Sequence, residues 1–314
     1  MKSAFSLLSP AGRRGRLQIF IFHRVLPARD PLFPGEMTVQ DFDAACRWLR
    51  EWFQVLPLDA AVRALRDGRL PQRAAAITFD DGYADNHDQA LPILQRHGLS
   101  ATFFVATAFL DGGRMWNDTI IEAVRGCRAD ALRFEPAGID EAMPLGGAAQ
   151  RRALIERVIG HAKYLPPAQR QVLVDEFAAR CAAPLPTDLM MSSEQVRRLR
   201  RAGQLVGAHT ASHPILARLP RDEAEREIRL GREALQALLD EPVALFAYPN
   251  GKPGQDYRDE TVAIVRELGF DAAVSTAWGA ASADSDCFQL PRFTPWDRTR
   301  GRFALRLVRN YLGW

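Results

Sequence analysis

The 314-residue sequence predicts an α/β fold: a parallel sheet with helical crossovers, either open and doubly wound or closed as a barrel. Short apolar runs rich in Val, Ile and Phe recur along the chain, as in strands covered on both faces. Stretches with helical spacing separate them, and glycines such as Gly98, Gly203 and Gly269 mark the handover from helix to strand.

The first run, residues 17–22, ends at His23, and residues 75–79 form the second, ending at Asp80-Asp81-Gly82. Residues 101–105 follow, then 205–208 ending at His209, 244–248 ending at Pro249, and 272–275. Helical periodicity is clearest at 41–51, 193–202, 221–239 and 259–268. From about 111 to 191 the rhythm breaks: helical stretches, no strand, and a Pro-rich close at Pro184 and Pro186 predict a helical insertion within one domain of residues 1–314.

Composition narrows the function. With 41 basic and 38 acidic residues the net charge is +3, too even to call for nucleic acid, and the aromatics do not interleave with basic residues. Cys46, Cys127, Cys181 and Cys287 form no CxxC pair, which argues for four reduced thiols. The apolar patch at residues 4–8 is shorter than a secretory signal core, and no run reaches the length of a membrane span. The expectation is a cytoplasmic protein. Residues 302–312 mix basic and apolar side chains at helical spacing, as in a final helix packed on the domain or one resting on an anionic membrane.

Strand ends are where ligand-binding groups gather in parallel α/β proteins. Adjacent carboxylates at Asp80-Asp81 resist joint ionisation unless a dication lies beside them; the competing reading is a turn that caps the next helix. His209 and His213, at i and i+4, can meet one metal on a helical turn or on a loop that folds back. Two His and one Asp leave positions open for water and substrate, as in a catalytic site. Zn²⁺ is the default for this set, with Co²⁺, Ni²⁺ or Mn²⁺ also accepted.

Together these residues resemble the polysaccharide deacetylases, carbohydrate esterase family four, with the NodB homology domain. Thr78-Phe79-Asp80-Asp81-Gly82 is similar to the family's first motif, and His209-Thr210-Ala211-Ser212-His213 to its second. Phe246-Ala247-Tyr248-Pro249-Asn250-Gly251 is similar to the third, and Phe22-His23-Arg24-Val25 to the opening of one branch. The resemblance implies a distorted (β/α) barrel of about seven strands, NodB-type, with a helical insertion. It implies Asp80 as general base, Asp81, His209 and His213 as metal ligands, and the Asn250 N–H as an oxyanion contact. The reaction implied removes N-acetyl groups from an N-acetylhexosamine glycan, polymeric or lipid-linked. Two other readings stay open: a related metal-dependent hydrolase of a small amide or formylated aminosugar, and a glycan-binding domain without activity.

The sequence departs from the family pattern in two places. Ala247 stands where an arginine should orient the catalytic aspartate, and Arg292 is the candidate to replace it. No histidine follows His213 to act as general acid, and His23 is the candidate acid or substrate contact. Trp116 and Asp118 suit stacking and hydrogen bonding to a sugar, or Trp116 anchors the insertion to the barrel, while Tyr83, Asp85, Asn86, Tyr248, Pro249, Asn250 and Gly251 are expected along the groove.

Overall fold

The computed structural model describes residues 1–313. In chain order the elements are α1 (Lys2–Leu8), β1 (Gln18–Phe22), α2 (Val39–Trp52), β2 (Gln54–Val55), α3 (Leu58–Arg66) and β3 (Ala74–Phe79). Then come α4 (Leu91–His97), β4 (Thr102–Val105), α5 (Trp116–Gly126), β5 (Ala131–Phe134), β6 (Ile139–Pro144), α6 (Ala148–Ala162) and α7 (Pro167–Cys181). The last are α8 (Ser193–Arg201), β7 (Leu205–Ala208), α9 (Arg221–Leu239), β8 (Leu245–Ala247), α10 (Asp259–Glu267), β9 (Ala272–Val274) and α11 (Arg300–Leu312).

The main sheet has seven parallel strands in the order β1-β3-β4-β7-β8-β9, with short β2 paired to the start of β3. It curls until its edges nearly meet, and residues 290–293 bridge the gap. Leu290 pairs with β9 and Phe293 with β1, through bonds such as Leu290 N–H to Ala273 O and Phe293 N–H to Ile19 O. The result is the distorted barrel that the family resemblance implied, in place of the open doubly wound sheet.

Alternate residues divide the sheet into two faces. Inward, Ile19, Ala74, Ala76, Phe104, Leu245 and Val274 form a cluster that α3 joins with Leu58, Val62 and Leu65. Outward, Phe20, Phe22, Phe79, Phe103, Val206 and Phe246 lie under the helices in the largest core. Gly98, Gly203 and Gly269 take positive φ, as the helix ends demand. The C-terminal α11 buries Phe303, Ala304, Leu307 and Tyr311 against a core that includes Phe5 and Trp52. The apolar face of this helix is spent on packing, while Leu305 and Leu312 stay exposed. Among the described residues no helix is long and apolar enough to cross a membrane, and the four cysteines are free.

The segment 111–191 differs from its expectation. It contains α5, α6 and α7 with their own apolar core, including Ile120, Leu154, Val174 and Phe177, but also an antiparallel hairpin, β5–β6. The hairpin turns through Glu135–Ala137 and Gly138, whose φ is 67°. It escapes a periodicity search because β6 is mostly exposed and Asp140-Glu141 interrupt its apolar residues, so it has no apolar run to find.

Candidate active site

Period-2 alternation aims the chemistry inward. The inner positions of β3 lead through Thr78 to Asp80, those of β7 through Gly207 to His209, and those of β8 to Ala247. Beyond the strand ends the backbone turns sharply. Asp81 (φ 79°), Thr210 (64°), His213 (55°) and Asn250 (59°) are half of the eight non-glycine residues with positive φ among the described residues, so strain concentrates at the three motifs.

The two histidines meet on a folded loop. Thr210 Oγ1 accepts from the His213 N–H at 3.0 Å, drawing the imidazole rings to a centroid distance of 4.8 Å. Glu227 on α9 fixes the loop, accepting from the Ser212 N–H (2.8 Å) and Oγ (2.9 Å). On the same helix, a Cβ added to Gly231 would stand 2.4 Å from the Thr210 carbonyl carbon and oxygen. Only glycine lets α9 support the loop this closely.

Asp81, His209 and His213 each turn one ligand atom to a common point, all within 4.8 Å of one another. Both Nε2 atoms lie 3.4 Å from Asp81 Oδ1. Ligands bonded at ~2.1 Å to one tetrahedral Zn²⁺ are separated by ~3.4 Å, so the set fits such a cation. His209 Nδ1 donates to the Ala247 carbonyl at 2.7 Å, which fixes the ring and directs Nε2 at the site. Burial pushes His213 down to about 4, leaving it a neutral donor at pH 7. Burial also acts to lower His209, but the Asp81 and Asp80 carboxylates overcome it and raise the ring. Burial would raise Asp81, yet the histidines hold it below the usual carboxylate range. A cation here would displace the His209 proton.

Asp80 is set apart from this trio. It is 2% exposed and Arg292 is 1% exposed. Arg292 Nη1 donates to Asp80 Oδ1 and Nη2 to Oδ2, both at 2.7 Å. The guanidinium is itself fixed by the Ser275 carbonyl (2.8 Å from Nε) and Thr78 Oγ1 (3.1 Å from Nη1). Burial would raise Asp80, but the Arg292 charge and bidentate bonds, with His209 adding, bring it below its ordinary value. Ala247, on the inner face of β8, leaves the interior free of a second arginine.

These groups open into a cleft of about 260 Å³ whose lining includes His23, Asp80, Asp81, His209, His213 and Asn250. A wider groove of about 690 Å³ continues from it along Tyr83 and Asp118 to Trp296. His23 is solvent-exposed within the cleft rather than packed in the core. The Asn250 N–H makes no main-chain hydrogen bond among the described residues. Tyr83 Oη donates to both Asp118 oxygens (3.2 and 3.1 Å), and burial, against the opposing pull of Arg24, pushes Asp118 up to about 7.

Several expected contacts fall elsewhere. Tyr248 lies on the outer face of β8, stacked on Tyr257 at 3.8 Å with its hydroxyl donating to the Phe288 carbonyl, because alternation turns it away from Ala247. Pro249 and Gly251 shape the turn that presents Asn250 and do not line the cleft. Trp116 is in the cleft wall, but Arg170 lies over its ring at 4.9 Å, so that face is closed to a sugar. Asp85 is buried and accepts from Arg24 Nε (2.8 Å) and the Val25 N–H (3.0 Å), and Asn86 donates to the His23 carbonyl (2.8 Å). Sequence reasoning missed Arg24, although it follows His23 at a strand end. It also missed Lys163 and Arg170, which reach the cleft from the insertion and carry no local signal.

The polysaccharide deacetylase family model matches residues 67–134 and 167–273, more than half of the chain. The chain belongs to the polysaccharide deacetylase family. YxkH of Bacillus subtilis (strain 168), which carries the polysaccharide deacetylase name, is 21% identical over 279 residues, covering 88% of this chain and 70% of the relative. The Streptococcus pyogenes deacetylase PplD in complex with acetate is similar in fold, with a TM-score of 0.64 at 18% identity. That match covers 93% of this chain and 98% of PplD. IcaB from Ammonifex degensii has a TM-score of 0.59 at 18% identity, covering 96% and 98%. The match to this deacetylase family is interrupted at 135–166, the part of the insertion that holds β6 and α6.

Proposed function

We propose that the protein is a metal-dependent hydrolase that removes N-acetyl groups from N-acetylhexosamine units of a polysaccharide or lipid-linked glycan. The observation that carries this reading is one cleft holding two separate devices: a three-ligand set and an aspartate clamped by Arg292. A binding module has no use for a buried carboxylate held ionised beside a metal set.

In this reading Asp81, His209 and His213 hold a divalent cation, Zn²⁺ by the chemistry of the donors. When bound, the cation supplies Lewis-acid polarisation of the acyl carbonyl. Asp80 accepts the proton of the attacking water, and Arg292 keeps its carboxylate ionised and aimed. The Asn250 N–H donates to the oxygen on which negative charge develops. His23, at the mouth of the cleft, returns a proton to the departing amine. The products are acetate and a free amino sugar. Residues 1–314 act as one domain, the insertion forming a wall of the cleft.

The test is acetate release from an N-acetylglucosamine oligomer, before and after chelation, compared with release from small cyclic amides and an N-formyl aminosugar. Chelator-sensitive acetate release from the oligomer is expected. Turnover confined to the small amides or the formyl sugar would overturn the assignment.

A further inference from the structure

The insertion brings two cations to the catalytic cleft. Lys163 follows the end of α6 and Arg170 sits in the first turn of α7; both line the cleft with Asp80, Asp81, His209 and His213. Within the cleft their wall is otherwise Met115, Trp116, Asn117 and Ile159, with no acidic side chain; the insertion's Asp118 and Glu122 face the wider groove, which Lys163 also reaches. Neither side chain makes an ion pair or donates a hydrogen bond among the described residues, and an aromatic ring lies near each. Arg170 lies 4.9 Å from the Trp116 centroid and Lys163 lies 5.8 Å from that of Tyr164.

This sets them apart from the arginines near the site that have structural duties. Arg292 is matched by Asp80, and Arg24 by Asp85. Arg170 is partly buried, and burial depresses its basicity with no carboxylate to restore it. A cation withdrawn from water without a partner is unfavourable unless a ligand supplies the charge. The Trp116 ring holds the guanidinium in place beforehand, and its fork suits a planar or tetrahedral oxyanion. Lys163 also lines the wider groove, so the pair stands where that groove meets the cleft.

We propose that Lys163 and Arg170 form an anion subsite for a phosphate or carboxylate group on the substrate next to the acylated sugar. The inference rests on the deacetylase reading and narrows its substrate class to glycans charged at that point. Two sources offer the same oxyanion chemistry: a phosphate or diphosphate at the reducing end, and a uronate carboxylate within the chain.

The experiment measures kcat/KM for acetate release from three substrates: N-acetylglucosamine linked through diphosphate to a short polyprenol, an oligosaccharide alternating N-acetylglucosamine and glucuronate, and neutral chitotetraose. Wild type is expected to prefer one charged substrate over the neutral one, and the preferred arm identifies the source. Arg170→Gln and Lys163→Gln should each lower that preference on the order of 10-fold, the scale of a hydrogen bond to a charged group, and Arg170→Lys should retain part of it. Acetate released from all three at one rate, or a preference the variants leave intact, overturns the subsite while sparing the deacetylase. No acetate from any arm overturns the deacetylase reading instead. The subsite is then decided by calorimetric binding of N-acetylglucosamine 1-phosphate against N-acetylglucosamine to the Asp80→Asn protein. Tighter binding of the phosphate, lost in Arg170→Gln, supports the subsite, and equal Kd values refute it.

Discussion

Replacing Arg292 by Met tests the link between barrel closure and catalysis. The Arg292–Asp80 pair is almost fully buried, and both carboxylate oxygens are engaged at 2.7 Å. Removing one partner of such a pair strands the other charge and costs about 3–5 kcal/mol. Asp80 is held low only because Arg292 and the nearby histidines outweigh burial. Without the guanidinium, burial dominates and the Asp80 pKa rises. Wild-type Asp80 contributes stability above its unfolded pKa that is lost as pH falls through its depressed folded value; Arg292→Met forfeits it. The base also becomes protonated at higher pH, so the acid limb of the kcat/KM profile moves to alkaline pH and neutral activity falls. Urea unfolding and the pH dependence of acetate release read both effects. Arg292→Lys, keeping charge without the fork, should fall between. Adding Asp80→Asn to Arg292→Met should recover part of the lost stability, as expected of coupled residues. An unmoved acid limb together with a stability loss under about 1 kcal/mol, the scale of an exposed pair, would refute the reasoning.

Asp81→Ala and His213→Ala should lose bound metal by elemental analysis, while Asp80→Asn should keep it and lose activity by ~10²-fold or more; a metal-free Asp80→Asn protein would reverse the two aspartates. His23→Ala should lower kcat, and unchanged turnover would remove it from the mechanism. Asp118 unfolds from about 7 to its ordinary 3.8, so folded stability should fall as pH rises from about 4 to 7, by at most about 4 kcal/mol at 1.36 kcal/mol per pH unit. Asp118→Asn should flatten that slope in urea melts of the chelated protein, and a cation beside Asp81, whose charge contributes to the elevation, should lessen it. Gly231→Ala should push the Thr210 carbonyl from α9 and weaken metal affinity in a chelator competition, with Gly231→Ser at least as damaging.

The barrel was legible because its buried strands are continuous apolar runs, and because those runs end on Asp80, His209 and Pro249. The three-ligand set was legible for the same reason: local motifs carry it, and alternation fixes its direction. Tyr248 shows the limit of a motif. Membership in the third motif placed it at the groove, but its parity on β8 sends it to the helical layer. Arg292 could be named from sequence by its place after the last strand-like run, yet its bidentate geometry depends on a pairing more than 200 residues away. The hairpin β5–β6 and the cations Lys163 and Arg170 lay beyond reach. The first lacks an apolar run and the second lack any local pattern tying them to the cleft.

The bridge made by residues 290–293 between β9 and β1 ties the pairing of Asp80 to the closure of the sheet. The three candidate ligands all lie before Pro214, but the guanidinium that pairs with Asp80 comes with the segment that joins the two sheet edges. The barrel's seam thus has two duties: the segment that joins the sheet edges also delivers the one guanidinium that pairs with Asp80.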